Sequence, residues 1–163
     1  MTELQELSNK IKTDTKSPIK VCFVCTGNTC RSPMAMAVLN HISNGRYEAS
    51  SAGIMAQRGA PINSKALKAL KKANVTPSPT NNYSAHTATQ LDMGIMEDCD
   101  KIVAVSAGHV MMIVQMFPLY ASKVTAFENN ITDPFGQSEE VYEKCLDEIT
   151  NEVKNMFVCL GGE

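Results

Sequence analysis

The chain has 163 residues, of which 44% are hydrophobic and 20% charged, and its formal net charge is -2. This length suits one globular domain with a sizeable core. The small negative charge disfavours a general nucleic-acid binder. No apolar run approaches the roughly 20 residues that span a bilayer, and the N-terminus lacks the apolar core of a secretion signal. We therefore expect a cytoplasmic protein without nucleic-acid or membrane partners.

Residues 1–17 are predicted to form an N-terminal extension, separate from a domain at 18–163. Leu4, Leu7 and Ile11 fall at helical spacing, and the polar residues that follow resemble a linker. Three interpretations stay open: a short helix packed on the domain, a helix that binds a partner, or a frayed end.

The rest of the chain alternates between strand-like and helix-like segments. Strands are predicted at 19–25, 47–51, 101–105 and 123–127, and helices after residues 32, 63, 106 and 138. This alternation predicts an α/β fold, a parallel sheet with helices on both faces. The last helix, at about 138–157, is predicted to bury one face, made by Val141, Cys145, Ile149, Val153 and Met156.

The cysteine pattern disfavours disulfides and metals. Six cysteines are too few for a disulfide scaffold of this length. Cys22 and Cys25 form a CxxC pair, but no second pair or histidine cluster completes a zinc site. A thioredoxin-like pair is the other alternative. Alternation along a strand places Cys22 and Cys25 on opposite faces, however, so Cys22 is predicted to be a small buried hydrophobe. No metal or cofactor is expected.

Cys25 ends the first predicted strand and begins the nucleophile loop (residues 25–32, Cys-Thr-Gly-Asn-Thr-Cys-Arg-Ser). Ligands of such folds bind beyond the carboxyl ends of the strands. Successive backbone N–H groups, the following helix N-terminus and Arg31 suit a phosphate dianion. Gly27 is expected to adopt the unusual backbone angles of this loop. The same positive field favours a Cys25 thiolate, to which Ser32 can donate a hydrogen bond.

A cysteine nucleophile that attacks phosphorus also needs an acid for the leaving group and a base for water. Asp133 is the candidate for both tasks. It lies in the turn sequence Thr-Asp-Pro-Phe-Gly, just before the last predicted helix. The alternative is an ordinary turn aspartate.

The motif CTGNTCRSPMA after a buried strand, together with DPFG near the C-terminus, resembles the low-molecular-weight protein tyrosine phosphatase family. The resemblance covers about residues 19–157. It implies a three-layer α/β/α fold around a four-stranded parallel sheet, of the phosphotyrosine protein phosphatase I type. It further implies a monomer or weak dimer that acts on phosphorylated proteins or peptides.

The resemblance also implies roles for individual residues. Cys25 would be the nucleophile, Arg31 the phosphate binder, and Asp133 the general acid and then base. Asn28, Ser32, Ser51 and His86 match positions that support the loop by hydrogen bonds, although His86 also suits an ordinary surface histidine. The implied phosphate-binding residues are Thr26, Gly27, Asn28, Thr29, Cys30, Arg31 and Ser32.

Two positions bear on the substrate. Tyrosine-specific members usually carry an aliphatic residue at the position of Thr29 and often two aromatic residues after Asp-Pro, where this chain has Phe135 and Gly136. Thr29 with Asp-Pro-Phe-Gly resembles the bacterial protein-arginine phosphatase branch. Phe135 can stack on a phenol or on a guanidinium. Phosphotyrosine and phosphoarginine therefore both stay open, as does a Thr29 without influence on specificity.

Cys30 corresponds to a family position at which a second cysteine can form a reversible disulfide with the nucleophile. Redox control and a plain buried loop cysteine are the two interpretations. Arsenate reduction on the same fold is disfavoured, because the segment 106–117 lacks the additional cysteines that pass the disulfide outward. A non-catalytic phosphate-binding module is disfavoured, because pure binding requires neither thiolate nor acid.

Overall fold

The computed structural model describes residues 2–5 and 17–158. Within them, no helix combines the length and apolar character needed to cross a bilayer. Leu4 is exposed, whereas Leu7, Ile11 and Cys159 lie outside the described residues. The elements are β1 (Ile19–Cys25), α1 (Arg31–Ile42), β2 (Tyr47–Gly53), α2 (Ser64–Lys72), α3 (Met93–Asp98), β3 (Lys101–Ala104), α4 (Ala107–Met116), β4 (Val124–Ala126) and α5 (Glu139–Val153).

The four strands form one parallel sheet in the order β2-β1-β3-β4. All four predicted strands are present: β1 has the predicted bounds, and the ends of the other three differ by at most two residues. The first strand, β1, lies in the middle of the sheet beside β3. From β1 the chain crosses outward to β2 at one edge, and from β3 it crosses outward to β4 at the other edge. Such a reversal opens a crevice at the carboxyl ends of the two strands, where open α/β sheets bind ligands.

Alternation along β1 divides the core into two layers. Val21, Phe23 and Cys25 belong to a cluster with side chains of α1, α2 and α5. Cys22 and Val24 belong to the opposite cluster, with side chains of α3 and α4. The predicted α/β architecture with helices on both faces is therefore confirmed, and Cys22 is buried on the face opposite Cys25, as expected.

Two helices differ from the prediction. In α5, Cys145, Ile149 and Val153 are buried as predicted, and Tyr142 and Leu146 are buried with them. Val141 differs from the prediction, since it is 39% exposed, and Met156, beyond the end of α5, is half-buried. Helix α3 was not predicted, since six residues are too few for a periodic pattern. Its first turn is stabilised by Asp92, whose Oδ1 accepts a hydrogen bond from the backbone of Ile95 at 2.9 Å.

Candidate active site

The nucleophile loop connects the carboxyl end of β1 to the first turn of α1. Its left-handed residue is Asn28, with φ of 59°, and Gly27 does not have a positive φ. The expectation that Gly27 provides the unusual backbone angle was therefore wrong. Asparagine tolerates this conformation better than most residues, because its short polar side chain can bond locally.

Asn28 is fully buried and makes three hydrogen bonds. Its Nδ2 donates to Ser32 Oγ at 2.8 Å, and its Oδ1 accepts from the backbone of Thr89 at 2.9 Å. Its carbonyl accepts from His86 Nε2 at 2.8 Å. Burial lowers the pKa of His86, an effect that the bond to the Asn28 carbonyl partly opposes. The structure thus brings Asn28 and His86 together and fastens the loop to the segment 86–89.

Cys25 lies at the bottom of the loop and is 2% exposed. Its Sγ is 2.9 Å from Ser32 Oγ. Since the Ser32 oxygen accepts from Asn28, the Ser32 hydrogen is available to the sulfur, with the Ala52 carbonyl as a longer alternative at 3.4 Å. A hydroxyl oriented in this way stabilises a thiolate.

The end of β2 packs against the loop, but not through Ser51. The Ser51 hydroxyl donates to Met36 Sδ at 3.6 Å. The prediction that Ser51 supports the loop by a hydrogen bond was therefore wrong. The close contact lies two residues later. A Cβ at Gly53 would be 2.5 Å from the Thr26 carbonyl oxygen, so only glycine fits there without a shift of the loop.

Arg31 is 7% exposed and is held from two sides. Its Nη1 donates to the carbonyl of Ile131 at 3.0 Å, and its Nη2 is 3.5 Å from Thr26 Oγ1. Nη2 also lies 3.7 Å from Asp133 Oδ2. The guanidinium is therefore fixed beside the nucleophile loop, with donors in the planar arrangement that matches two phosphate oxygens.

Asp133 belongs to the Asp133 loop (residues 131–137), between β4 and α5. Its Oδ1 accepts from the backbone of Phe135 at 3.1 Å, the bond of an Asx turn. Its side chain is 54% exposed, and Phe135 is 68% exposed. The Asp133 carboxylate thus lies beside Arg31 and is open to solvent, and the Phe135 ring two residues later is exposed as well.

Cys30 faces helix α5. Its Sγ is 3.3 Å from the Tyr142 hydroxyl and 3.7 Å from Thr29 Oγ1. Burial raises the pKa of the Cys30 thiol, and the hydrogen bonds from Tyr142 and Thr29 partly oppose this. Cys25 and Cys30 are both free thiols. They have separate partners, Ser32 for Cys25 and Tyr142 for Cys30.

His109 also belongs to the site, although the sequence did not predict it. It lies in the first turn of α4, is 9% exposed, and its Nε2 is 2.9 Å from Thr26 Oγ1. The position of His109 shortly after a predicted strand could have indicated its place in the site. Residues directly after β3 reach the same sheet edge as Cys25, because parallel neighbouring strands end together.

Within the described ranges, no group of three or more His, Cys, Asp or Glu side chains is arranged to hold a metal ion. The chemistry available at the site is that of a buried thiol, a fixed guanidinium, a half-exposed carboxylate and a loop of backbone donors. This set suits nucleophilic attack on an oxyanion with proton transfer at the open side.

A family model described as "Low molecular weight phosphotyrosine protein phosphatase" matches residues 20–163. The chain is 35% identical over 139 residues to the protein-arginine-phosphatase of Geobacillus stearothermophilus, across 81% of this chain and 89% of the relative. A low molecular weight protein tyrosine phosphatase structure from T. tengcongensis superposes with a TM-score of 0.77 at 34% identity, across 85% of this chain and 97% of that one. Arsenate reductase 1 of Bacillus cereus is 29% identical over 134 residues, across 82% and 90% of the two chains.

Proposed function

Because the chain belongs to the low molecular weight phosphotyrosine protein phosphatase family, we propose that it hydrolyses phosphorylated protein side chains with Cys25 as the nucleophile. The observation that carries this proposal is the hydrogen-bond series from Asn28 through Ser32 to the Cys25 sulfur. A site that only bound phosphate would not need a hydroxyl aimed at a buried thiol. The family match supports residues 18–163 as the catalytic domain and residues 1–17 as an extension.

The proposed reaction has two steps. The phosphoryl group is held by the backbone of the nucleophile loop and by Arg31, and the Cys25 thiolate attacks phosphorus. Asp133 gives its proton to the departing oxygen or nitrogen, which leaves a cysteinyl-phosphate. Water then attacks this intermediate, Asp133 accepts the proton, and the Ser32 hydroxyl stabilises the thiolate that leaves.

Replacement of the sulfur tests the nucleophile. We expect Cys25→Ser to lower turnover of an aryl phosphate by at least about 10³-fold, because the serine hydroxyl is neutral at neutral pH. Binding of inorganic phosphate, measured by calorimetry, should persist. Cys99→Ser, at a buried free cysteine outside the nucleophile loop, is the matched control and should retain turnover. Equal loss in both variants would remove Cys25 from the nucleophile role.

Phosphoarginine is the second candidate substrate, and Thr29 is the observation that favours it. Thr29 is held by its neighbours: its carbonyl accepts from the Asn63 backbone at 2.9 Å, and its hydroxyl lies beside Cys30. A hydroxyl at this place can make a polar contact near a P–N bond, which an aliphatic side chain cannot. The 35% identity to a protein-arginine-phosphatase supports the same substrate.

The substrate is tested by the ratio of kcat/KM for phosphoarginine and phosphotyrosine peptides of the same sequence. If Thr29 selects phosphoarginine, Thr29→Ile should lower this ratio by about tenfold. Thr29→Ser, which keeps the hydroxyl, should preserve it. An unchanged ratio in Thr29→Ile would mean that Thr29 is not the selector.

Two further expectations belong to this proposal. A catalytic thiolate requires a reducing environment, which supports a cytoplasmic enzyme that works without a cofactor.

Peroxide oxidation of Cys25 to the sulfenic acid, followed by attack of the Cys30 thiol with loss of water, would form an inhibitory disulfide. The disulfide is tested by mass spectrometry after peroxide treatment. We expect a bridge between Cys25 and Cys30 in the wild type that a reductant reverses, whereas Cys25 of Cys30→Ser should proceed to the sulfinic acid, which a reductant does not reverse.

A further inference from the structure

His109 occupies a place that the proposed reaction does not use. It lies at the crevice between β1 and β3, buried against the nucleophile loop. Its ring bonds on both sides, through Nε2 to Thr26 Oγ1 at 2.9 Å and through Nδ1 to Ser106 Oγ at 2.5 Å. Ser106 is also the N-cap of α4, because its Oγ accepts from the backbone of His109 at 3.3 Å. The imidazole is therefore fixed by its own helix turn.

We infer that His109 is a positioning residue that holds the Thr26 hydroxyl, and through it the Arg31 guanidinium, in the geometry that binds the phosphoryl group. The inference rests on the proposed function and extends it from the nucleophile loop to helix α4.

The Arg31 guanidinium is held less firmly at Nη2 than at Nη1. Arg31 Nη1 has a firm bond to the Ile131 carbonyl at 3.0 Å. Among the described residues, the partners of Nη2 are Thr26 Oγ1 at 3.5 Å and Asp133 Oδ2 at 3.7 Å. Asp133 is half exposed and needed for proton transfer, so Thr26 is the fixed support on this side. Without a partner, the Thr26 hydroxyl can rotate among its staggered positions, and this support is lost.

The bond between His109 and Thr26 survives every protonation state of the ring. If Nε2 carries the hydrogen, it donates to Thr26, while Ser106 donates to Nδ1. If Nδ1 carries it, Thr26 donates to Nε2, while Ser106 accepts. The imidazolium donates from both nitrogens. Burial and the positive charge of Arg31 lower the pKa of His109, an effect that Asp133 partly opposes. At neutral pH the ring is therefore uncharged, and its role is to hold the Thr26 hydroxyl in place.

Binding of inorganic phosphate, measured by calorimetry, tests the inference without turnover. We expect His109→Leu and Thr26→Val each to weaken phosphate binding about tenfold, the effect of one lost buried hydrogen bond to a charged network. The double variant should be no weaker than Thr26→Val alone, because both changes break the same link. His109→Gln, whose side-chain amide can bond Thr26, should restore most of the affinity.

Three outcomes would overturn the inference: additive losses in the double variant, unchanged phosphate binding in Thr26→Val, or no rescue by His109→Gln with the thermal midpoint intact. If His109→Leu does not fold, Thr26→Val and His109→Gln still decide. Turnover adds a second readout. Because Arg31 holds the phosphoryl group in ground and transition states, kcat/KM should fall in parallel with affinity. Wild-type protein that binds phosphate but hydrolyses no phosphate ester would refute the proposed function and leave this test valid.

Discussion

The two loops that meet at Arg31 are built in opposite ways. The nucleophile loop is buried: Asn28 and Ser32 have no exposed surface, and Asn28 alone makes three hydrogen bonds. The Asp133 loop is open, with Asp133 and Phe135 more than half exposed. The difference follows from their tasks. A group that must match a transition state gains from rigidity, whereas a group that exchanges protons with leaving group and water must face the entrance.

The largest effect that separates the loops is expected from Asp133→Asn. Turnover of phenyl phosphate, a poor leaving group, should fall by about 10²–10⁴-fold, because no proton reaches the departing oxygen. p-Nitrophenyl phosphate, whose leaving group is stable as an anion, should be affected much less. The free energy of unfolding should hardly change, since the Asp133 side chain is half exposed and its ion pair is long. Equal slowing of both substrates would remove Asp133 from the acid role.

Two glycine substitutions probe the rigid loop. Gly53→Ala should destabilise the protein by about 1–3 kcal/mol, because the new Cβ would be 2.5 Å from the Thr26 carbonyl. Gly27→Ala is the matched control inside the motif. Its Cβ would meet only Thr29 Oγ1, at 4.0 Å, with no positive φ to strain it. Its free energy of unfolding, measured by urea denaturation, should stay within about 1 kcal/mol of the wild type.

A result in the reverse order, with Gly27→Ala the more damaging, would contradict the packing of β2 on the loop. Activity is not the readout here, because Gly27 belongs to the phosphate-binding segment.

The smallest effect concerns pH. In the folded protein, burial lowers the pKa of His86 below its ordinary value of 6.5. As the pH falls below 6.5, the unfolded chain therefore takes up a proton at His86 more readily than the folded protein does. The stability contributed by neutral His86 is therefore complete above pH 6.5 and is lost as the pH falls through the folded-state pKa. His86→Gln, which can still donate to the Asn28 carbonyl, should lessen the drop in urea midpoint between pH 7.5 and 5.5.

His41→Gln on the exposed side of α1 is the control and should leave the drop unchanged. A slope that His86→Gln does not alter would assign the acid sensitivity to other groups, with His109 as the next candidate because burial lowers its pKa as well.

Much of the fold was predictable, because local patterns report it directly. Four apolar strands that alternate with helices specify a parallel α/β sheet, and alternation along β1 correctly separated Cys22 from Cys25. The misses occurred where local patterns are weak. Helix α3 is too short for a periodic pattern, and in α5 the pattern placed Val141 on the buried face in addition to Cys145, Ile149 and Val153, whereas Tyr142 is buried there and Val141 is exposed.

Local sequence was sufficient for the nucleophile loop, because Cys25, Arg31 and Ser32 lie within eight residues and one strand-loop-helix turn brings them together. Asp133 required the family resemblance, since its turn sequence has no chemistry of its own. Three features required the folded chain: the left-handed residue is Asn28 rather than Gly27, Gly53 has no room for a side chain, and His109 contacts Thr26. These contacts join residues 27–83 positions apart, and such pairings depend on how strands and helices pack, which no local pattern encodes.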